Sequence, residues 1–273
     1  MLVSRWCVLL TFCAAGASAL VACGGNDDGQ PLYVRGTSTA ETPTPEPPDA
    51  DKDGVPDGAD QCPDTVERPG GVDADAPDGC PDSLDDLVAF ASADIDAYWR
   101  NRLQGIGVRY VAPDIVPYAE ETLTACGSTV LDNASYCPFD NTIYYDTALF
   151  DREFTENGDF APIFILAHEW GHLVQAHIGF FALDNLYGID YELQADCMAG
   201  VYSRNADQRH LLALGDLDEG AATLLRIGDD ADEVSWYEDG AHGTAEERTF
   251  AFTQGFEQGL GVCASVADEA KKR

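Results

Sequence analysis

Five consecutive residues, His168-Glu169-Trp170-Gly171-His172, carry the densest chemistry in this chain of 273 residues. Two imidazoles four apart on a helix share one face and can converge on one metal ion, and a carboxylate beside the first is placed to take a proton from water. Ile163, Leu166, Ala167, Leu173 and Val174 supply the apolar side of such a helix. Pro162 falls in its first turn, where a missing N–H costs little, and Asp159 is the expected cap. Residue frequencies alone would generate the pattern in roughly one chain in a hundred of this size, so a third ligand is the test of a metal centre.

His177 is nine residues beyond His168, about half a turn round the helix from it, and reads as a surface or supporting histidine. Glu192 is the better candidate. It lies in Asp190-Tyr191-Glu192-Leu193-Gln194-Ala195-Asp196-Cys197, which opens a second helix after the breaker Gly188, with Asp190 as the expected N-cap. Glu192 would complete a His₂Glu zinc site with the fourth position left open. Asp196 is one turn away on the same face. The plain alternative is a solvated acidic helix face. Zinc in such a site would activate water and polarise a peptide carbonyl, with Glu169 as the base. His242, on the loop entering a helix capped by Thr244 and Glu247, is the candidate donor to the developing oxyanion, or else a loop histidine with no role. His210, among leucines, reads as structural.

Several separated blocks resemble a family of bacterial neutral zinc metallopeptidases: His168–Gln175, Glu192–Val201, Ala125-Cys126-Gly127 with Tyr136-Cys137-Pro138, Gly158–Ala161, and His242-Gly243-Thr244 followed by Glu247-Arg248. The resemblance runs from about Tyr98 to Cys263. It implies a zincin fold with His168 and His172 as zinc ligands, Glu169 as the catalytic residue and Glu192 as the third ligand. By resemblance to the ExxxD arrangement of thermolysin-like gluzincins, Asp196 would accept the ring N–H of His168 and fix its tautomer. Trp170 departs from the small or aliphatic residue usual inside the motif, which leaves the ligands intact and alters packing beneath them.

The N-terminus points outside the cytoplasm. Arg5 precedes an apolar run from Trp6 to Ala22, and Leu20-Val21-Ala22-Cys23 has the form of a lipobox, so Cys23 is expected to carry lipid and become the mature N-terminus. A secretory peptide cleaved near Ala19 or Ala22, or an uncleaved anchor, are the alternatives. Gly24 after the cysteine resembles lipoproteins sent to the outer membrane. Residues 24–48 read as a disordered linker. Asp49, Asp51, Asp53, the carbonyl of Val55, Asp57 and Asp60 then form an oxygen-ligand calcium pattern ending in Cys62-Pro63. Prolines at 47, 48 and 56 deny it the flanking helices of an EF-hand. It resembles the thrombospondin type-three repeat, with a degenerate second half at Asp73, Asp75, Asp78 and Cys80; the plain alternative is an acidic spacer.

Of nine cysteines, Cys7 and Cys13 lie in the leader and Cys23 is lipidated, which leaves Cys62, Cys80, Cys126, Cys137, Cys197 and Cys263. Local context favours the pairs 62–80, 126–137 and 197–263 among the connectivities open to them. The fold class is α+β and mostly helical: a metallopeptidase domain at 83–265 behind a calcium-binding segment at 49–82, with a polar tail at 266–273. Ser83 to Gly105 is a long opening helix, Asp216-x-x-Glu219 caps another through Ile227, and a last one runs from Thr244 to about Gly259. Val108–Val111 and Thr142–Tyr145 are expected strands; the latter lies just before the HExxH helix, and the resemblance to zincins implies that it is the edge strand that pairs with substrate backbone. A formal charge of −34 argues against nucleic acid or anionic lipid as a partner. Two function classes follow: a zinc peptidase of the cell envelope, lipid-anchored to the outer membrane and acting on protein or peptide, or a calcium-stabilised surface binding protein on an inactive scaffold. The oligomeric state is not readable.

Overall fold

The computed structural model describes residues 83–180, 186–212, 215–229 and 241–270, with 48, 56 and 58 as isolated positions. The lipidation site Cys23, the calcium ligands from Asp49 to Asp60 and the Cys62–Cys80 pair lie outside the described residues.

Helix α1 (Leu84–Gly105) begins where Ser83 accepts from the Asp86 N–H, a cap worth about 1 kcal/mol, and buries Leu87, Val88, Ala91, Ile95, Trp99 and Leu103 on one face. The expected strand at Val108–Val111 does not form. The backbone there is occupied elsewhere: the Val108 N–H donates to the Leu103 carbonyl (3.0 Å) and the Val111 N–H to His177 Nε2 (3.1 Å). Strand β1 comes later, at Asp114–Tyr118, on a sheet edge that tolerates Pro117.

A small hairpin, β2 (Leu123–Thr124) and β3 (Gly127–Ser128), precedes β4 (Ala134–Cys137) and β5 (Thr142–Asp146). The main sheet has the order β1-β5-β4, with β5 parallel to β1 and antiparallel to β4. Thr142–Tyr145 therefore belongs to the central strand, not the edge expected for it. Thr142, Ile143, Tyr145 and Asp146 are all buried, and burial on both faces goes with a strand flanked on both sides. The edge facing the helices is β4, tied to the hairpin by the Cys126–Cys137 disulfide.

Asp146 ends the sheet and starts α2 (Thr147–Asn157), accepting from the Ala148 N–H with one oxygen and the Asp132 N–H with the other. Next comes α3 (Phe160–Ile178), in which 15 of 19 residues are buried, so that it forms the axis of the core rather than an amphipathic cover. Asp159 holds the N-cap position without a side-chain cap bond; instead Glu219, from α5 (Asp216–Ile227), accepts the Phe160 N–H at 3.1 Å. In α4 (Gly188–Gln208) the expected cap Asp190 sits inside the first turn and reaches back to the Tyr187 N–H at 2.7 Å, while Gly188 is the first helical residue. Asp216 is likewise the first residue of α5, after Gly215 at the cap. Thr244 and Glu247 cap α6 (Ala245–Gln258) reciprocally, as expected. The expected polar tail starts as a short helix, α7 (Val266–Ala270), because Val266 and Ala270 lie one turn apart and both bury.

Helices α3, α4 and α6 touch at backbone distance. A Cβ at Gly171 would stand 2.7 Å from Ala195 Cα, one at Gly200 2.0 Å from the Phe252 carbonyl oxygen, and one at Gly255 1.8 Å from the Cys197 carbonyl oxygen. The Cys197–Cys263 disulfide fastens α4 to the segment beyond α6. Among the described residues, no helix is long and apolar enough to cross a membrane.

Candidate metal centre

The close approach of α3 to α4 at Gly171 brings Glu192 over the two histidines of the motif. His168 Nε2 and His172 Nε2 are 3.1 Å apart, His168 Nε2 is 3.2 Å from Glu192 Oε2, and His172 Nε2 is 3.4 Å from Glu192 Oε1. Tetrahedral bonds of about 2.0–2.1 Å to a zinc ion set ligand atoms roughly 3.3–3.4 Å apart, so the three donors already have the spacing of a zinc site.

The backs of both rings determine which nitrogen is a donor. Asp196 Oδ1 lies 2.8 Å from His168 Nδ1, and a carboxylate oxygen can only accept, so that nitrogen carries the proton. Gln175 Nε2 donates to the Tyr191 carbonyl (2.7 Å), which turns its Oε1 toward His172 Nδ1 at 2.9 Å as an acceptor. Both Nε2 atoms then face each other and a carboxylate, as the lone pairs that a cation, proton or metal, would share. Such an arrangement is repulsive until a cation joins it, which is the fit expected of a metal site.

Electrostatics agree. Burial opposes charge on His168, yet the Asp196 and Glu192 carboxylates raise its pKa to about 10. Burial also pushes Glu192 up, but His172 and His168 hold it well below the usual carboxylate range. Asp196 is lowered against burial by Arg248 first and His168 next. The cluster is built to receive positive charge.

Glu169 is buried beside this cluster, and its Oε2 accepts from the backbone N–H of Tyr136 on β4 at 2.7 Å. A cavity of about 690 Å³ opens in front, lined by the donors, Glu169, β4, and the apolar side chains of Leu149, Phe164, Ile165 and Ile227. His242 reaches the same cavity, half exposed. Asp229 Oδ2 accepts from the backbone N–H groups of His242 and Gly243 (2.6 and 2.9 Å), and its Oδ1 stands 3.5 Å from His242 Nδ1.

The remaining candidates lie elsewhere. His177 spends both ring nitrogens, accepting from Val111 and donating Nδ1–H to the Leu173 carbonyl (2.9 Å), and so ties a connector to α3. His210 is exposed in the turn after α4 with φ 62°. Trp170 is buried away from the cluster, its indole N–H donating to Tyr110 Oη at 3.1 Å, and Tyr110 in turn donating to Asp96 on α1. A second group of carboxylates, Asp159, Asp216 and Glu219, gathers at the start of α3.

Sequence reasoning missed two supporting residues. Gln175 is a polar residue one turn beyond His172 in a buried run, a signal available in principle. Arg248 is a cation fully buried in α6, where its Nε donates to Asp196 Oδ2 (2.8 Å) and its Nη2 to Asp196 Oδ1 (2.9 Å). Its neighbours Phe250, Ala251 and Phe252 marked that helix as half buried, but no spacing rule joins residue 248 to residue 196.

A family model described as "Putative neutral zinc metallopeptidase" matches residues 69–265. The chain is similar to the Uncharacterized protein YpfJ of Escherichia coli strain K12, 32% identical over 201 residues covering 64% of this chain and 69% of that one. It is similar also to the Uncharacterized protein Rv2575 of Mycobacterium tuberculosis strain H37Rv, 30% identical over 203 residues covering 63% and 67%. No solved structure matches it. With its HExxH helix, its convergent glutamate and most of its length inside the match, the chain belongs to that family.

Proposed function

We propose that this protein is a zinc-dependent peptidase in which His168, His172 and Glu192 hold the ion and Glu169 is the general base. The observation that carries the reading is the convergence of two imidazole nitrogens and the two oxygens of one carboxylate at 3.1–3.4 Å beside buried Glu169, all lining one cavity. Zinc bound there supplies Lewis acidity toward a peptide carbonyl and toward water. Glu169, fixed by the Tyr136 N–H, takes the proton of the attacking water and passes it to the leaving amine. The two-residue period of β4 turns the edge groups of Ala134 the same way as the Tyr136 N–H, where an extended peptide would add as a further strand. His242, its loop held by Asp229, donates to the oxyanion.

The cell-envelope placement rests on sequence: the lipobox at Cys23 makes the protein an outer-membrane lipoprotein, and Asp49, Asp51, Asp53, Val55, Asp57 and Asp60 bind calcium in a segment between anchor and enzyme. Substrate is protein or peptide. The test is cleavage of a broad peptide library by the purified mature protein, with and without chelator, beside Glu169→Gln. Chelator-sensitive cleavage that the variant lacks supports the reading. A zinc-loaded protein that cuts nothing in the library would favour the binding-scaffold alternative.

A further inference from the structure

Beside the two imidazoles lie the carboxylates of Glu169, Glu192 and Asp196, and against Asp196 lies the guanidinium of Arg248. Asp196 is the most enclosed of the acids, with none of its surface exposed, and Arg248 is 2% exposed. A carboxylate and a guanidinium this deep are stable only as a paired, fully hydrogen-bonded unit. The pair is bidentate: Arg248 Nε meets Asp196 Oδ2, and Nη2 meets the same Oδ1 that faces His168 Nδ1.

Planar fork geometry fixes a carboxylate in rotation as well as position, which a lysine in the same place could not do. Asp196 therefore has no freedom to swing away from His168. The contact exists because α4 and α6 lie backbone to backbone at Gly200 and Gly255, seven residues after Arg248 on its own helix.

We propose that Arg248 is a positioning residue for the metal: acting only through Asp196, it holds the His168 ring in the orientation and tautomer that present Nε2 to the ion. This inference rests on the zinc-site reading above. It predicts energetic coupling. Arg248→Met should weaken zinc binding by about ten- to hundredfold, the range seen for outer partners of metal ligands, measured against a competing chelator. Arg248→Lys should recover part of that loss by restoring charge without the fork.

The decisive measurement is a double-mutant cycle on zinc affinity with Asp196→Asn, followed in parallel by the absorption spectrum of the cobalt-substituted protein, which reports ligand geometry apart from turnover. If Arg248 works through Asp196, the double variant Asp196→Asn with Arg248→Met binds zinc no worse than Asp196→Asn alone, and the two have the same cobalt spectrum. The double variant also removes both buried charges together, so it remains folded if Arg248→Met alone does not. Equal further loss in the Asp196→Asn background, or unchanged affinity in folded Arg248→Met, overturns the proposal. Failure of the unmodified protein to bind zinc overturns the metal-site reading itself, and this inference with it.

Discussion

The two histidines of the candidate metal centre are backed in different ways. Behind His168 stand a carboxylate and, behind that, a guanidinium from a third helix. Behind His172 stands a neutral amide, Gln175, anchored on the Tyr191 carbonyl. Both backings set the same tautomer. Only the first adds charge, and a carboxylate behind an imidazole raises its basicity as a ligand in a way that an amide cannot. The two also differ in reach: Gln175 is one turn from the ring it supports, whereas Asp196 and Arg248 make His168 answerable to the docking of α4 and α6. One ligand is held locally and the other by the tertiary fold.

Removing the element shared by both sides has the largest expected effect. Glu192→Ala takes away the only carboxylate among the described residues that stands within 3.4 Å of both Nε2 atoms, so metal analysis should find zinc below stoichiometric and peptide hydrolysis absent. Unchanged zinc content would remove Glu192 from the site. Glu169→Gln leaves both backings intact and serves as their control: turnover should fall by about a hundred- to ten-thousandfold with zinc content and thermal midpoint unchanged.

Breaking the charged side comes next. Asp196→Asn should weaken zinc binding by about ten- to hundredfold in a chelator competition. On the neutral side, Gln175→Ala should cost less, below about tenfold, because water can replace an amide acceptor more readily than a buried charge. If Gln175→Ala costs as much as Asp196→Asn, the charged backing confers nothing special and the distinction between the two histidines fails.

What the sequence disclosed and what it hid divide along the same line. Local features were readable: the long α1 with Ser83 at its head, the helix bearing His168 and His172, the glutamate at 192, the Thr244–Glu247 capping box and the disulfides 126–137 and 197–263. Most depend on periodicity or on near neighbours; Glu192 and the 197–263 disulfide, whose cysteines are 66 residues apart, do not, and they were legible through the family resemblance and the short list of cysteines left to pair. The hidden features are long-range. Val108–Val111 has the composition of a strand, but His177, distant in sequence, claims its backbone. Thr142–Tyr145 is a strand, yet its central place depends on β1 and β4 pairing on either side. The helix at Thr147–Asn157 has no legible apolar period, because its buried Glu153 interrupts the pattern and is matched by Arg226, from α5, at 2.5 Å. Arg248 sits in a motif whose spacing assigns it no role, since only the packed α4–α6 pair shows what it touches.

Gly171 sets a tolerance. Carbon atoms in contact rest roughly 3.5–4.0 Å apart, whereas a methyl group at this position would stand 2.7 Å from Ala195 Cα. Accommodating it means parting α3 from α4 by an amount on the order of 1 Å, while metal–ligand distances hold to within about 0.2 Å. Elsewhere in a helix the exchange of glycine for alanine favours the folded state by about 1 kcal/mol. Here the same exchange would move Glu192 out of reach of an ion held by His168 and His172, so a residue that weakens its own helix acts as the gauge that spaces the next one.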